Sequence, residues 1–336
     1  MKPLVSILIP AYNAEPWISD AISSALRQTW RNKEIIVVDD GSTDRTLAVA
    51  SPFAKEGVTV VSQNNRGASS ARNRAYSLCQ GDYIQWLDAD DVLAPDRISR
   101  QMAFVETDRN PWLLLSSEWG RFLYRTSGAK FIHTELWQDL PPLDWLLRKM
   151  TLNIWIQPGA WLVSRELSEA AGPWDERLSF DDDGEYFCRV ILKCRGVAFV
   201  QGAKTFYRES PGSLSSVDSS DKKLESAWLS IRLHIEYLRR LEDSERTRRA
   251  AVRFLQTWLN IFNPHRMDIV QQMQQLARSL GGEVKCLKLV EPLRWKFAWM
   301  EGIFGQRIAF WAQKRLPQLR HFLGRHWDRT LFQLGY

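Results

Sequence analysis

The chain has 336 residues, 45% of them hydrophobic, with 45 Lys+Arg against 39 Asp+Glu; that is enough for one large domain, or for a catalytic domain with an appendage. Cys79, Cys188, Cys194 and Cys286 show neither CxxC nor zinc-ligand spacing, and no long uninterrupted apolar run suggests a membrane-crossing helix. With Pro10 also breaking any signal-peptide core, the chain reads as the product of a reducing, cytosolic compartment.

In chain order, "LVSILIP" (4–10) is a β-branched and aliphatic run closed by Pro10, the pattern of a buried strand. Trp17, Ile18, Ala21, Ile22, Ala25 and Leu26 then recur at helical spacing. "EIIVVDDGSTD" repeats the plan, with a helix expected from near Asp44. "VTVVSQNNRGASSARNRAYSLC" and "DYIQWLDADDVLAPDRISRQMAFV" repeat it twice more. Four strand–helix units predict an α/β fold, a mostly parallel central sheet flanked by helices.

Ligands of open parallel sheets sit beyond the carboxyl ends of the strands. Those ends carry "PAYNAE" (10–15), "DDGSTD" (39–44), "NNRGASSARN" (64–73) and "DADD" (88–91). Neither GxGxxG nor GxxxxGK[ST] occurs, which argues against a dinucleotide crevice or a P-loop.

Three carboxylates within four positions repel one another, by about 3 kcal/mol per pair at roughly 6 Å and an effective dielectric near 20. Strand alternation would turn Asp88 and Asp90 to one side, where converging hard oxygens suit Mg²⁺ or Mn²⁺. The plain alternative is a solvated helix start before Pro95, the role expected of Asp91. Asp39 and Asp40 can accept from a nucleobase N–H or a ribose hydroxyl, or organise the turn at Gly41; one in each role is expected. Arg72 can grip a diphosphate or make a surface ion pair, and Tyr12 and Asn13 can flank a base or pack the loop. Asp181, Asp182 and Asp183 precede a helical pattern, either as complements of its dipole or with one serving as a general base.

Together, "VSILIPAYNAE", "EIIVVDDGSTDRT", "NRGASSARNRA", "GDYIQWLDADDVLAPDRI" and "DDDGEYFCRV" closely resemble the family 2 glycosyltransferases of GT-A fold, over about residues 3–215. The resemblance implies that Pro10, Tyr12 and Asn13 line a nucleotide pocket and that Asp39 or Asp40 reads the base. It implies Arg72 at the diphosphate, Asp88 at the ribose or metal, and Asp90 at a Mn²⁺ or Mg²⁺ ion. The family's base lies in an "ED" pair with an arginine six residues on; Asp183 and Arg189 hold that spacing, with Asp182 in place of the glutamate. Asp183 is then the base of an inverting transfer from a nucleotide sugar, UDP-linked, to a glycan or lipid-linked acceptor in cell-surface polysaccharide synthesis. "YRESPGSLSS" (207–216) resembles a segment that closes over the donor, with Arg208 and Ser213 as diphosphate contacts. Trp155, Trp161 and Trp174 are candidates for an acceptor wall, although most of the 16 tryptophans must be core. An inactive sugar-binding module and a nucleotidyltransferase are the competing readings.

Residues 225–336 hold 19 Lys+Arg against 10 Asp+Glu, so the positive charge is concentrated there. Helical patterns dominate beyond about Lys223, giving an expected catalytic domain of 1–220 and a basic helical extension of 221–336. Leu293, Phe297, Met300, Phe304, Ile308 and Trp311 form one stripe flanked by Lys296, Arg307 and Lys314. Such a stripe suits an anionic membrane surface, which would make the protein peripheral at the cytoplasmic face, or it packs on the catalytic domain. No nucleic-acid reader motif accompanies the charge.

Overall fold

Seven consecutive buried residues, Val5–Ala11, form β1 at the centre of the main sheet. A strand covered on both faces needs apolar side chains in both directions, hence a continuous run instead of an alternating one. The structure is a computed structural model describing residues 2–209, 220–263, 265–286 and 328–330. The sheet has the order β3-β2-β1-β4-β8, with β2 at Lys33–Asp39, β3 at Thr59–Ser62, β4 at Tyr83–Trp86 and β8 at Val163–Ser164. The first four strands are parallel and β8 is antiparallel at the edge. The expected α/β class with a mostly parallel sheet is therefore observed.

Helices α1 (Ile18–Leu26), α2 (Thr46–Ala50) and α3 (Ala68–Leu78) follow the first three strands. Asp44 does not open α2: its carboxylate accepts from the Thr46 N–H at 2.9 Å, and the helix starts at Thr46. After β4 the chain makes β5 (Val92–Leu93) and α4 (Arg97–Thr107). A second sheet, ordered β5-β9-β6-β7, contains β6 (Leu113–Phe122), β7 (Lys130–Phe131) and β9 (Gly196–Arg208). Arg97, wholly buried, links the sheets by donating to Gln85, to Thr205 Oγ1 at 2.7 Å and to the Trp161 carbonyl at 3.3 Å. Burial lowers its pKa to about 9.

The remaining helices are α5 (Pro142–Leu152), α6 (Arg165–Ala171), α7 (Asp182–Lys193), α8 (Asp221–Leu241), α9 (Glu245–Phe262) and α10 (Met267–Ser279). Residues 1–121 with 130–285 form one compact unit and 122–129 with 286–336 another, so α8, α9 and α10 belong to the first. Among the described residues no helix is long and apolar enough to cross a membrane. The stripe at 293–311 and Ser213 lie outside the described residues.

Candidate active site

The sheet order places β1 between β2 and β4: the chain runs from β1 through β2 to β3 at one edge and then crosses to β4 on the other side of β1, which opens a crevice at the carboxyl end of β1. Ala11 pairs with Asp39 and Asp39 with Ser62, which brings the loops after β1, β2 and β3 side by side. Pro10 is buried in β1, and Tyr12, at 44% exposure, stands just beyond it. Asn13 takes a left-handed φ of 48°. Its carboxamide oxygen accepts from the Thr43 N–H at 2.8 Å, and its own N–H donates to Ser42 Oγ at 3.0 Å. Asn13 thus fastens the first loop to the second.

The two aspartates of "DDGSTD" are both buried but differ in employment. Asp40 accepts from the Gly67 N–H at 2.8 Å, the Arg66 N–H at 3.0 Å and the Gln63 amide at 2.8 Å, tying β2 to the start of α3. Asp39 accepts from Ser62 Oγ at 3.1 Å through Oδ2. Its buried Oδ1 has no hydrogen-bond partner among the described residues. An unsatisfied buried carboxylate oxygen is costly, and a ligand N–H or hydroxyl would relieve it. Gly41 is required between them and Ser42: at φ 68° a Cβ would also lie 2.7 Å from the Asn65 amide nitrogen.

Asp88, Asp90 and Asp91 do not extend a strand. β4 ends at Trp86, and the Asp91 N–H closes a turn on the Asp88 carbonyl at 3.1 Å, so strand alternation does not set their directions. Asp91, expected to do no more than start the next helix, is wholly buried and accepts from the Arg208 N–H at 2.8 Å; α4 begins six residues later. Burial first, then repulsion from Asp90 and Asp88, pushes its carboxyl well above the usual carboxylate range. Arg208 is itself 1% exposed, donating to the Asp90 carbonyl at 2.7 Å and to Asp20 at 2.8 Å while lying over the Trp17 ring. These contacts tie Arg208 of β9 to the acidic turn and to α1.

Arg72 is equally enclosed. Its guanidinium spans Asp182, at 2.6 Å, and Asp88, at 2.9 Å, and packs 4.4 Å over the Trp174 ring. Burial acts to lower its pKa, but Asp182 and Asp88 outweigh it and raise it, so the charge is permanent. Arg72 therefore joins the loop after β4 to the start of α7. Trp161 and Trp174 are core side chains, 0% and 3% exposed, and cannot line an acceptor wall; Trp155 is 37% exposed.

Three adjacent carboxylates at the start of α7 have different partners. Asp181, at φ 55°, accepts from Ser230 Oγ at 2.6 Å. Its carboxylate lies where a Cβ on Gly184 would go, which explains the glycine. Asp182 accepts from Arg72 and from Ser69 Oγ at 3.2 Å. Asp183 has no hydrogen-bond or ion-pair partner among the described residues, and it is half-buried. Burial, then Asp182 and Asp181, raise its pKa to about 7, with Arg72 opposing. Arg189 does not reach Asp183: the i,i+4 geometry of α7 directs it to Glu185, at 2.6 Å. Glu185 also accepts from Tyr237 of α8 at 2.7 Å. Sequence reasoning missed Ser69, Ser230 and Tyr237, for which no local pattern exists.

Among the described residues no three His, Cys, Asp or Glu side chains converge to cage a metal ion. The acidic turn nevertheless fits a hard cation. Asp88 and Asp90 are half-buried, and burial together with the charges of Asp90 and Asp88 raises the carboxyl of Asp91 beside them. A cation here would take few ligands from the chain and the rest from phosphate oxygens and water, as Mg²⁺ and Mn²⁺ do.

The sequence profile described as glycosyl transferase family 2 matches residues 6–116, which hold β1 to β5 and every loop at the crevice mouth. Residues 6–116 therefore carry the sequence pattern of this glycosyltransferase family. EpsJ of Bacillus subtilis strain 168, an uncharacterized glycosyltransferase, is 31% identical over 226 residues, 65% of this chain and 64% of EpsJ. The Escherichia coli glucosyltransferase WfaP, which by its name transfers from UDP-Glc to α-D-GlcNAc-diphosphoundecaprenol, is 41% identical over 107 residues, 32% of this chain and 43% of WfaP. The chain thus spans less than two thirds of either relative. Residues 1–349 of S. aureus TarS, in complex with UDP, share its fold with a TM-score of 0.60 at 19% identity, covering 83% of this chain and 88% of that one.

Proposed function

We propose that this protein is an inverting family 2 glycosyltransferase that moves a sugar from a UDP-linked donor to a glycan or lipid-linked acceptor of a cell-surface polysaccharide. The observation that carries this reading is Asp183, a carboxylate without a partner among the described residues and with a pKa of about 7, linked through Asp182 and Arg72 to the acidic turn. A general base works best when its pKa lies near the working pH. Catalytic residues fall within 1–220 in this reading, and 221–336 is the basic extension.

In the proposed site, Asp39 Oδ1 accepts from the nucleobase, Tyr12 stacks on it, and Asp40, Pro10 and Asn13 hold the loops around it. Asp88 faces the ribose or diphosphate, with Arg72 fixing its orientation. Asp90 would hold Mn²⁺ or Mg²⁺, which when bound supplies positive charge at the leaving diphosphate. Asp183 takes the proton of the acceptor hydroxyl as that oxygen attacks the anomeric carbon. The bond to the diphosphate breaks on the opposite face, giving inversion. The donor and acceptor in WfaP's name and the UDP in the TarS structure support this chemistry.

The test is UDP release from a panel of UDP-sugars with Mn²⁺, with and without acceptor, for wild type and Asp183→Asn. The reading expects acceptor-dependent release by wild type only, with UDP binding kept in the variant. Equal transfer by the variant removes Asp183 as base, and release of pyrophosphate from a nucleoside triphosphate would make the protein a nucleotidyltransferase.

A further inference from the structure

A second candidate site lies on the β6–β7 hairpin. The two strands pair at Gly120↔Phe131 and Arg121↔Lys130. Trp119 and Arg121 are two residues apart on β6 and so share one face, which Lys130 joins from the opposite strand. Phe131 closes the other face, its ring so near Gly120 that a Cβ there would lie 2.8 Å away. On the first face Trp119 meets Trp155 with ring centroids 4.7 Å apart, and Tyr207 of β9 stands edge-on to Trp155 at 5.5 Å. Arg121 lies 5.6 Å and 5.5 Å from the two indole centres. Trp119, Arg121, Lys130 and Trp155, together with Ile132 and Thr134, line a cleft of about 190 Å³, the scale of a single sugar ring.

Two features of this face are unfavourable without a ligand. Trp155 is 37% exposed and Ile132 66% exposed, leaving apolar surface in water. Arg121 and Lys130 are directly opposed like charges, an arrangement that destabilises an antiparallel pair. Glu209 offsets Arg121 from one side at 3.3 Å, and no acidic residue lines the cleft itself. Indole faces stack on the C–H faces of a pyranose, and the two cations supply charge-assisted donors for an oxyanion.

We propose that this cleft binds a sugar carrying an anionic group, a carboxylate or a phosphate. Tyr207, which backs Trp155, is followed directly by Arg208, which holds the Asp90 carbonyl and the Asp91 carboxylate. Use of the cleft as an acceptor subsite rests on the transferase reading; the binding does not.

The test is tryptophan-fluorescence titration of the full chain with a glucuronate-terminated disaccharide, glucose 1-phosphate and neutral cellobiose, alongside UDP. Saturable binding of an anionic probe is expected, about tenfold tighter than cellobiose, and the tighter of the two anions distinguishes carboxylate from phosphate as the source. Trp155→Ala should abolish that binding and Lys130→Gln weaken it about tenfold, with UDP affinity and melting midpoint unchanged in both. No binding of either anion, equal binding of cellobiose, or unaltered binding by both variants would overturn the proposal. Wild type that binds an anionic sugar but not UDP would refute the transferase reading and leave the cleft standing.

Discussion

Replacing Asp183 by Asn should stabilise the protein above neutral pH while abolishing transfer. Burial, with Asp182 and Asp181 adding to it, raises this carboxyl from 3.8 to about 7. A group whose pKa is higher folded than unfolded contributes stability that is complete below the unfolded value and lost as pH rises through the folded one. The difference corresponds to about 4 kcal/mol once the carboxyl is fully ionised. The amide cannot ionise and forfeits no hydrogen bond among the described residues. Asp183→Asn should therefore match wild type near pH 4 and exceed it by up to about 4 kcal/mol near pH 8, an increase of about 5 °C or more in the unfolding midpoint. Denaturation at a series of pH values measures this directly, in the absence of donor and metal. Parallel stability profiles for the two proteins between those limits would show that Asp183 is not held at a raised pKa. In the wild type kcat/KM should rise with pH through about 7 as the base ionises.

Arg72→Gln should cost about 3–5 kcal/mol in chemical denaturation, because Asp88 and Asp182 lose their shared partner. Arg72→Lys should recover only part of this, since a single ammonium cannot span both carboxylates as the guanidinium does. Asp39→Asn and Asp40→Asn should separate binding from folding. The first should weaken UDP about tenfold in calorimetry with little change in midpoint, and the second should lose about 1–3 kcal/mol of stability because one of the two accepting oxygens becomes an NH2 group that cannot accept from the donors facing it, the Gly67 N–H or the Gln63 amide. Tyr237→Phe, which removes a hydroxyl from Glu185, should cost about 1 kcal/mol with UDP affinity intact; a large loss of UDP affinity would contradict the structural role assigned to it.

The parallel sheet was legible because its signal is local. Each buried strand is a continuous apolar run ending in a polar loop, and four repeats leave little choice of topology. The loops that carry the proposed site were legible for the same reason, since position after a strand locates them. Roles within the loops were not. Asp39 and Asp40 are adjacent and chemically identical, and they differ only in which one faces the Arg66 and Gly67 amides. Alternation failed at "DADD" because the strand stops two residues before Asp88. Arg208 and Asp20 are 188 positions apart, so nothing in either neighbourhood announces their ion pair. Arg189 had the expected spacing from Asp183 but found a nearer partner one helical turn back, in Glu185.

The hydroxyls of Ser230 and Tyr237 connect α8 to both sides of Asp183, at Asp181 and Glu185. A protein shortened to residue 220 would keep every proposed binding and catalytic side chain and still lose the two tethers that flank its base. The same holds for chimaeras: this sheet grafted onto a foreign carboxy-terminal segment would carry its nucleotide loops unchanged, yet its proton acceptor would depend on whether the new helix offers two hydroxyls at matching heights. In evolutionary terms, the proposed nucleotide loops can drift within the first hundred residues alone, whereas the setting of Asp183 changes only when two distant stretches of sequence change in concert.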